Sequence, residues 1–206
     1  LISQSAIRIV DNTGRIIYFD PFKLGDNNTF DADFIFISHP HFDHFSPEDI
    51  MKIKKEDTKI IAPLELKSEL HKCGFNDNEV LLVEPNKKYI IDNIEFETIP
   101  AYNLDKNFHK KESGWVGYIV TIDDKRVYFA GDTDNTPEAQ NVKCDIAMVP
   151  IGGTYTMTLE EASDLIKTIK PNLAIPMHYA TIVGSKEDAI NFARNLEGDV
   201  EVRILM

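Results

Sequence analysis

The chain has 206 residues, 43% of them apolar and 27% charged, with a formal net charge of −12. That length fits one domain, here taken as residues 1–206, with enough apolar residues for a core, and it argues against global disorder. No run of lysines or arginines is long enough to follow a phosphate backbone, which disfavours tight non-specific binding of nucleic acid. Cys73 and Cys144 form neither a disulfide framework nor a Cys-x-x-Cys pattern, so both read as reduced thiols of a cytoplasmic protein. No apolar stretch has the length of a transmembrane helix and no signal-peptide pattern is visible, although the chain opens at Leu1.

Short β-type runs alternate with a few helical patterns. Ala6–Val10 and Arg15–Asp20 flank Asp11-Asn12-Thr13-Gly14, a hairpin signal. Asp33–Ser38 is an apolar run. Ser46-Pro47 places an N-cap before a proline at the first helical position. Lys59–Ala62, Val80–Val83 and Asn93–Pro100 read as strands, and Pro63–Lys72 as a weaker helix ending at Gly74. Trp115–Ile122 and Arg126–Ala130 form a second hairpin; Asp145–Pro150, Leu173–Pro176 and Val200–Leu205 complete the strands. Thr158-Leu159-Glu160-Glu161 is a capping box, followed by apolar residues at helical spacing up to Ile169, and Ser185 opens the last helix. Strands followed by helices, twice over, suggest sheets at the centre with helices outside.

The chemistry is concentrated at His39-Pro40-His41-Phe42-Asp43-His44, directly after the apolar run 33–38. Neutral imidazoles and carboxylate suit Zn²⁺, Mn²⁺ or Fe. The plain alternative is a solvated loop before the Ser46 cap, but four such groups behind one apolar strand favour a metal site. Asp132, in Ala130-Gly131-Asp132-Thr133, and His178, in Pro176-Met177-His178, occupy the same kind of position at a strand exit, where active sites of sheet proteins collect.

Together, His-x-His-x-Asp-His, the later Gly-Asp-Thr and the late histidine resemble the metallo-β-lactamase superfamily. The N-terminal stretch Ser5–Pro21 is also similar, and Ala130-Gly131-Asp132-Thr133 resembles the branch that includes L-ascorbate-6-phosphate lactonase and N-acyl-phosphatidylethanolamine phospholipase D. The resemblance implies an α/β fold, a four-layer αββα sandwich with a metal site at one rim. It places His39 and His41 on a first metal, Asp43, His44 and His178 on a second, and Asp132 between them. The cofactors implied are two divalent transition-metal ions, Zn²⁺ first, with Mn²⁺ or Fe as alternatives. The family's mid-chain histidine is missing: Asn103 stands where it is expected. Of the remaining histidines, His71 sits at the end of a helical pattern and His109 lies six residues past Asn103. His109 is therefore the expected ligand, with Asn103 as a polar neighbour or weak ligand.

Asp20 is a candidate to orient a ligating histidine, its alternative being a turn aspartate before Pro21. Gly152-Gly153 offers backbone N–H groups to an anion, or simply connects a strand to a helix. Tyr102, Trp115, Tyr155 and Tyr179 are candidate pocket walls. The expected function is that of a hydrolase in which a metal-bound hydroxide, positioned by Asp43 and Asp132, cleaves a small anionic ester, lactone or phosphodiester, with Asp134 as one candidate to protonate the leaving group. Lys106, Lys110 and Lys111 are expected to bring positive charge to the pocket mouth. A nuclease of nucleic-acid ends and a non-catalytic metal- or ligand-binding module are the alternatives. The expected partner is a small molecule, with no nucleic acid and no membrane span, and a homo-oligomer is left open.

Overall fold

The computed structural model describes residues 1–26 and 29–205. The first half of the chain supplies β1 (Ile7–Val10), β2 (Ile16–Phe19), β3 (Ala32–Phe36), α1 (Pro47–Ile53), β4 (Lys54–Pro63), α2 (Lys67–Lys72) and β5 (Val80–Val83). These strands form a five-stranded sheet in sequential order, antiparallel between β1 and β2 and parallel beyond. The second half supplies β6 (Lys88–Ile91), β7 (Ile94–Pro100), β8 (Val116–Ile122), β9 (Lys125–Phe129), α3 (Pro137–Gln140), β10 (Ile146–Pro150), α4 (Leu159–Ile169), β11 (Leu173–Met177), α5 (Lys186–Asn195) and β12 (Glu201–Val202). They make a seven-stranded mixed sheet in the order β12-β11-β10-β9-β8-β7-β6. This is the metallo-β-lactamase fold, an α/β sandwich of two mixed sheets.

Alternation along the strands explains the layering. In β3, Phe34 and Phe36 face the core between the sheets, whereas Ile35 and the following Ile37 join Ile50, Ile53, Leu66 and Leu70 beneath α1 and α2. Between the sheets an aromatic cluster interlocks: Phe19 stacks on Phe36 and Phe129 at centroid distances of 5.2 and 4.9 Å, and Tyr118 meets Phe36 edge-on at 5.1 Å. Tyr118 Oη also donates to Ile37 O across the gap at 2.7 Å. On the far face, Leu165, Ile166, Ala189 and Phe192 bring α4 and α5 onto the second sheet.

The expected elements appear with some changes. β4 is longer than expected because its polar start, Lys54-Lys55-Glu56-Asp57, follows α1 without a break and pairs with Ala32 across a register shift. β6 was not expected; its residues alternate with a solvent-facing side, Ile90 being 70% exposed, and it joins β7 through a tight turn with positive φ at Asp92 and Asn93. The helix α3, capped by Thr136, is a single short turn and was also missed. At the C-terminal end the expected strand is short: Glu201–Val202 pair with β11, and Arg203 N donates to Ala174 O at 3.0 Å.

Strand direction fixes where chemistry collects. β2 and β3 run parallel, as do β9, β10 and β11, and β7 runs the same way as β9 because both are antiparallel to β8. The C-terminal ends of β2, β3, β7, β9, β10 and β11 therefore meet at one rim. The opposite rim is closed by turns. There Asp11 Oδ1 accepts from Thr13 N, Thr13 Oγ1 and Arg15 N at 2.7–2.9 Å, while Oδ2 accepts from Arg15 Nε at 2.6 Å.

Burial pushes the Asp11 carboxyl up, but its bonds to Thr13 and Arg15 outweigh that effect and hold it at about 2, below the ordinary 3.8. A depressed carboxylate stabilises the fold above the unfolded value and loses that contribution as pH falls through the folded one. Asp11→Asn is accordingly expected to lower unfolding free energy by about 1 kcal/mol at neutral pH. The gap to the parent should close between pH 3.8 and about 2 in urea titrations. A constant gap across that window would show that the charge contributes nothing.

Candidate metal centre

The strand exits deliver the predicted residues to one place. His39, His41, Asp43 and His44 follow β3, Asp132 follows β9 and His178 follows β11. His109 comes from the loop between β7 and β8, which doubles back through Asn103 N→His109 O at 2.8 Å. His39, His41 and His109 form one cluster whose ligand atoms lie within 4.8 Å of one another, and Asp43, His44 and His178 form a second. Asp132 lies between them: its Oδ2 is 3.9 Å from His39 Nε2, 3.3 Å from His109 Nε2 and 3.1 Å from His178 Nε2, and its Oδ1 is 3.3 Å from His44 Nε2. Asp43 Oδ2 lies 3.5 Å from both His44 Nε2 and His178 Nε2. All are buried except the half-buried His41. His71 lies apart, exposed and paired with Asp77.

Behind the histidines sits a set of acceptors that decides which ring nitrogen carries the proton. Asp20 Oδ2 accepts from His44 Nδ1 at 2.6 Å, so the neutral His44 has its lone pair at Nε2. Asp20 also accepts from Ser38 N at 2.7 Å and from Ser38 Oγ at 2.6 Å. With its proton committed to Asp20, Ser38 Oγ accepts from His39 Nδ1 at 2.9 Å. Asn103 Oδ1 accepts from both His109 N (3.0 Å) and His109 Nδ1 (3.1 Å). Nε2 lone pairs thus point at carboxylate oxygens. Among the described residues, His44 Nε2, His109 Nε2 and Asp132 Oδ1 are buried with no hydrogen-bond partner. Lone pair facing carboxylate is repulsive unless a cation lies between them, and the imidazole and carboxylate donor set suits transition metals. The residues fit the binding of metal.

The electrostatics say the same in the absence of metal. Burial pushes the Asp132 carboxyl up, yet the His178 and His44 imidazoles outweigh it and hold it well below the ordinary range. Burial pushes His178 down, but Asp132 and Asp43 raise it to about 9. His44 is likewise lowered by burial and raised further by Asp132 and Asp20. The carboxylates draw positive charge into the cluster, and protons supply it when nothing else does.

Backbone geometry holds the pieces. Gly131 turns the chain at φ +64, and a Cβ there would stand 3.0 Å from Ser38 Cβ. Asp20, His178 and Gln4 adopt left-handed φ of +41, +58 and +48, conformations costing about 1–3 kcal/mol each that persist where surroundings enforce them. Gln4 was not singled out in the sequence. Its carbonyl accepts from His178 N at 2.9 Å and its Nε2 donates to Asp43 Oδ2 at 3.1 Å, contacts that only the tertiary fold creates. Trp115 packs against His39 and His41 at 5.0 and 4.9 Å, with its Nε1 donating to Glu65.

Several expectations change. Gly152-Gly153 forms no anion nest: Gly153 N donates to Met157 O and Thr154 N to Gly152 O, and Gly152 is needed because a Cβ would lie 2.5 Å from His178 O. Both oxygens of Asp134 accept hydrogen bonds, from Asn103 Nδ2, Lys106 Nζ and Leu104 N at 2.7–3.0 Å, so it braces the loop that carries His109. Asn103 is an orienting group, its Nδ2 bonded to Asp134 and Tyr155 O and its Oδ1 to His109. Lys106 is paired with Asp134, and Lys111 with Glu138 at 2.7 Å and with Tyr102 Oη, so neither brings free charge to the pocket. Tyr102 and Tyr179 do not line the cavity; Tyr155 does. That cavity, about 240 Å³, has His41, Asp43, His109, Asp132 and His178 in its floor and Phe42, Phe108, Tyr155 and Ile182 in its walls.

Residues 2–178 match the family described as the beta-lactamase superfamily domain. A UPF0173 metal-dependent hydrolase of Methanosphaera stadtmanae is 32% identical, with 96% of this chain and 90% of that one covered. A candidate metal-dependent hydrolase from Parabacteroides distasonis superposes with a TM-score of 0.85 at 30% identity, covering 99% of this chain and 90% of that one. Igni18, a metallo hydrolase from Ignicoccus hospitalis, gives 0.80 at 26% identity over 99% and 92%. The chain belongs to the metallo-β-lactamase superfamily and, within it, to the UPF0173 metal-dependent hydrolases.

If Asn103 fixes the His109 tautomer, Asn103→Ala should weaken metal binding by about 10–100-fold, as loss of an orienting partner does. His109→Ala should weaken it at least as much and His71→Ala not at all. Competition titration with a chromogenic chelator reads all three. Parent affinity in His109→Ala would remove that residue from the centre.

Proposed function

We propose that the chain hydrolyses a small ester, lactone or phosphodiester at a pair of divalent transition-metal ions, Zn²⁺ first and Mn²⁺ or Fe as alternatives. The observation that carries this reading is the convergence of buried, partnerless Nε2 atoms on Asp132. His39, His41 and His109 would hold one ion, Asp43, His44 and His178 the other, and Asp132 would span both. Such a pair supplies Lewis-acid charge and lowers the pKa of water to about 7.

The chain's own groups do the rest. Asp43, held at Oδ2 by Gln4, would accept the proton of an attacking water. Asp20, Ser38 and Asn103 would keep His44, His39 and His109 in the tautomer that presents Nε2. The walls of the cavity would exclude bulk water from the reacting centre. The Ala130-Gly131-Asp132-Thr133 resemblance to the lactonase and phospholipase D branch favours a lactone or phosphodiester bond, and any negative charge of the substrate would be met at the metals, since Lys106 and Lys111 are paired and no lysine lines the cavity among the described residues. The net charge of −12 weighs against nucleic-acid ends as substrate. The gap at Asn103, which favoured a non-catalytic module, loses force because His109 reaches the cluster. Free Cys73 and Cys144 suit a reducing cytoplasm. Among the described residues no helix is long and apolar enough to cross a membrane.

A panel of chromogenic phosphodiesters, aryl esters and lactones tests the reading. Turnover should vanish on exhaustive chelation and return with Zn²⁺ or Mn²⁺, and Asp43→Asn should lower kcat by about 10²–10⁴-fold. Hydrolysis that persists at the parent rate in fully chelated protein would refute it.

A further inference from the structure

The walls above the metal centre are apolar. Phe42 is 69% exposed, Phe108 47% and Ile182 40%, and with Tyr155 they surround the mouth of the 240 Å³ cavity. A single exposed apolar side chain is ordinary, but several converging on a site whose floor carries the reactive groups are not. The wall is built: Phe108 packs edge-on against Tyr155 at 4.7 Å, and Phe42 against Phe22 at 5.9 Å. Tyr155 is tied in turn to the His109 loop, since its carbonyl accepts from Asn103 Nδ2 at 2.9 Å.

Charge at the mouth points the same way. No lysine or arginine lines this cavity among the described residues. Lys106 is drawn to Asp134 and Lys111 to Glu138. A substrate carrying a second anionic group away from the scissile bond would meet phenyl rings and a branched alkyl chain there, with no cation to pair it. The volume lies below the roughly 300–1,000 Å³ of pockets for drug-sized ligands, so the substrate is small.

We infer that the substrate carries a compact, uncharged apolar group, a short alkyl or aryl substituent, that lies against Phe42, Phe108, Tyr155 and Ile182 while its scissile bond reaches the floor. This rests on the hydrolase reading for the floor, but the wall is specified independently of turnover. Binding energy from such a remote group serves to place the reacting bond.

The test uses the Zn²⁺-loaded chain and a series of hydroxamates with a constant head and different tails: acetohydroxamate, butyrohydroxamate, hexanohydroxamate and the carboxylate-tailed succinohydroxamate. Isothermal titration reads binding without requiring turnover. Affinity should rise about two- to fourfold per added methylene, as burial of each predicts, and the succinyl compound should bind more weakly than the butyryl one. In Phe108→Ala and Ile182→Ala, exposed positions where folding is not at risk, the contrast between two- and six-carbon tails should shrink. A flat series, or tighter binding of the succinyl compound, would overturn the inference even if the protein hydrolyses esters. A flat series in a chain that also sediments as a dimer would assign the apolar wall to contact between copies. A clear chain-length gradient in a protein that turns over nothing would preserve the apolar subsite and sink the hydrolase reading.

Discussion

Everything at the active rim depends on one electrostatic constraint. Asp132 and Asp43 are buried carboxylates facing imidazole nitrogens, and the other ring nitrogens of His44, His39 and His109 are engaged by Asp20, Ser38 and Asn103. Burying such groups without compensation is expensive, so the fold demands positive charge in a defined place. The same demand pushes the His44 and His178 imidazoles above their ordinary range, through Asp132 with Asp20 and Asp43. The divalent ions proposed above would meet it better, because each can satisfy several lone pairs at once.

The scaffold serves this constraint through strand direction. β2, β3, β7, β9, β10 and β11 are among the strands that end at one rim, and the chain leaves each of these with a residue the centre uses or with a turn that lets neighbours approach. Gly131 permits the close pass beside Ser38, Gly152 the close pass beside His178, and left-handed backbone at Asp20 and His178 aims side chains that an extended strand would carry past. The aromatic layer of Phe19, Phe36, Tyr118 and Phe129 keeps the two sheets in register beneath that rim. Local strain is tolerated there because a rigid core lies directly below it.

Much of this was legible in the sequence, for reasons that differ by residue. The His39–His44 run concentrates its chemistry locally, and Asp132 and His178 share its signature of an apolar strand followed by a polar exit. His109 followed from the family resemblance, which implies a further mid-chain histidine, with His71 and His109 as the two remaining choices. The Thr158 and Ser185 caps sit where the sequence places them, because capping is a short-range interaction. What could not be read depends on partners far apart in the chain. Gln4 meets Asp43 across 39 residues, and Asp134 meets Lys106 across 28. The second of these contacts removes both an expected acid and an expected cation from the pocket. The lysines near His109 suggested an electropositive mouth; Lys106 and Lys111 are held by carboxylates and Lys110 does not line the cavity, so the exposed phenylalanines define the mouth instead.

The most direct measurement of the central claim is a crystal structure of the metal-loaded protein with anomalous data collected at the zinc edge. Two peaks are expected, about 2.0–2.1 Å from histidine Nε2 atoms. One should be shared among His39 and His109, the other among His44 and His178, with Asp132 reaching both. A single peak away from Asp132, ligation through Nδ1 of His44 or His109, or His109 swung out of the cluster would contradict the claim that orienting acceptors and buried carboxylates together build a two-metal centre.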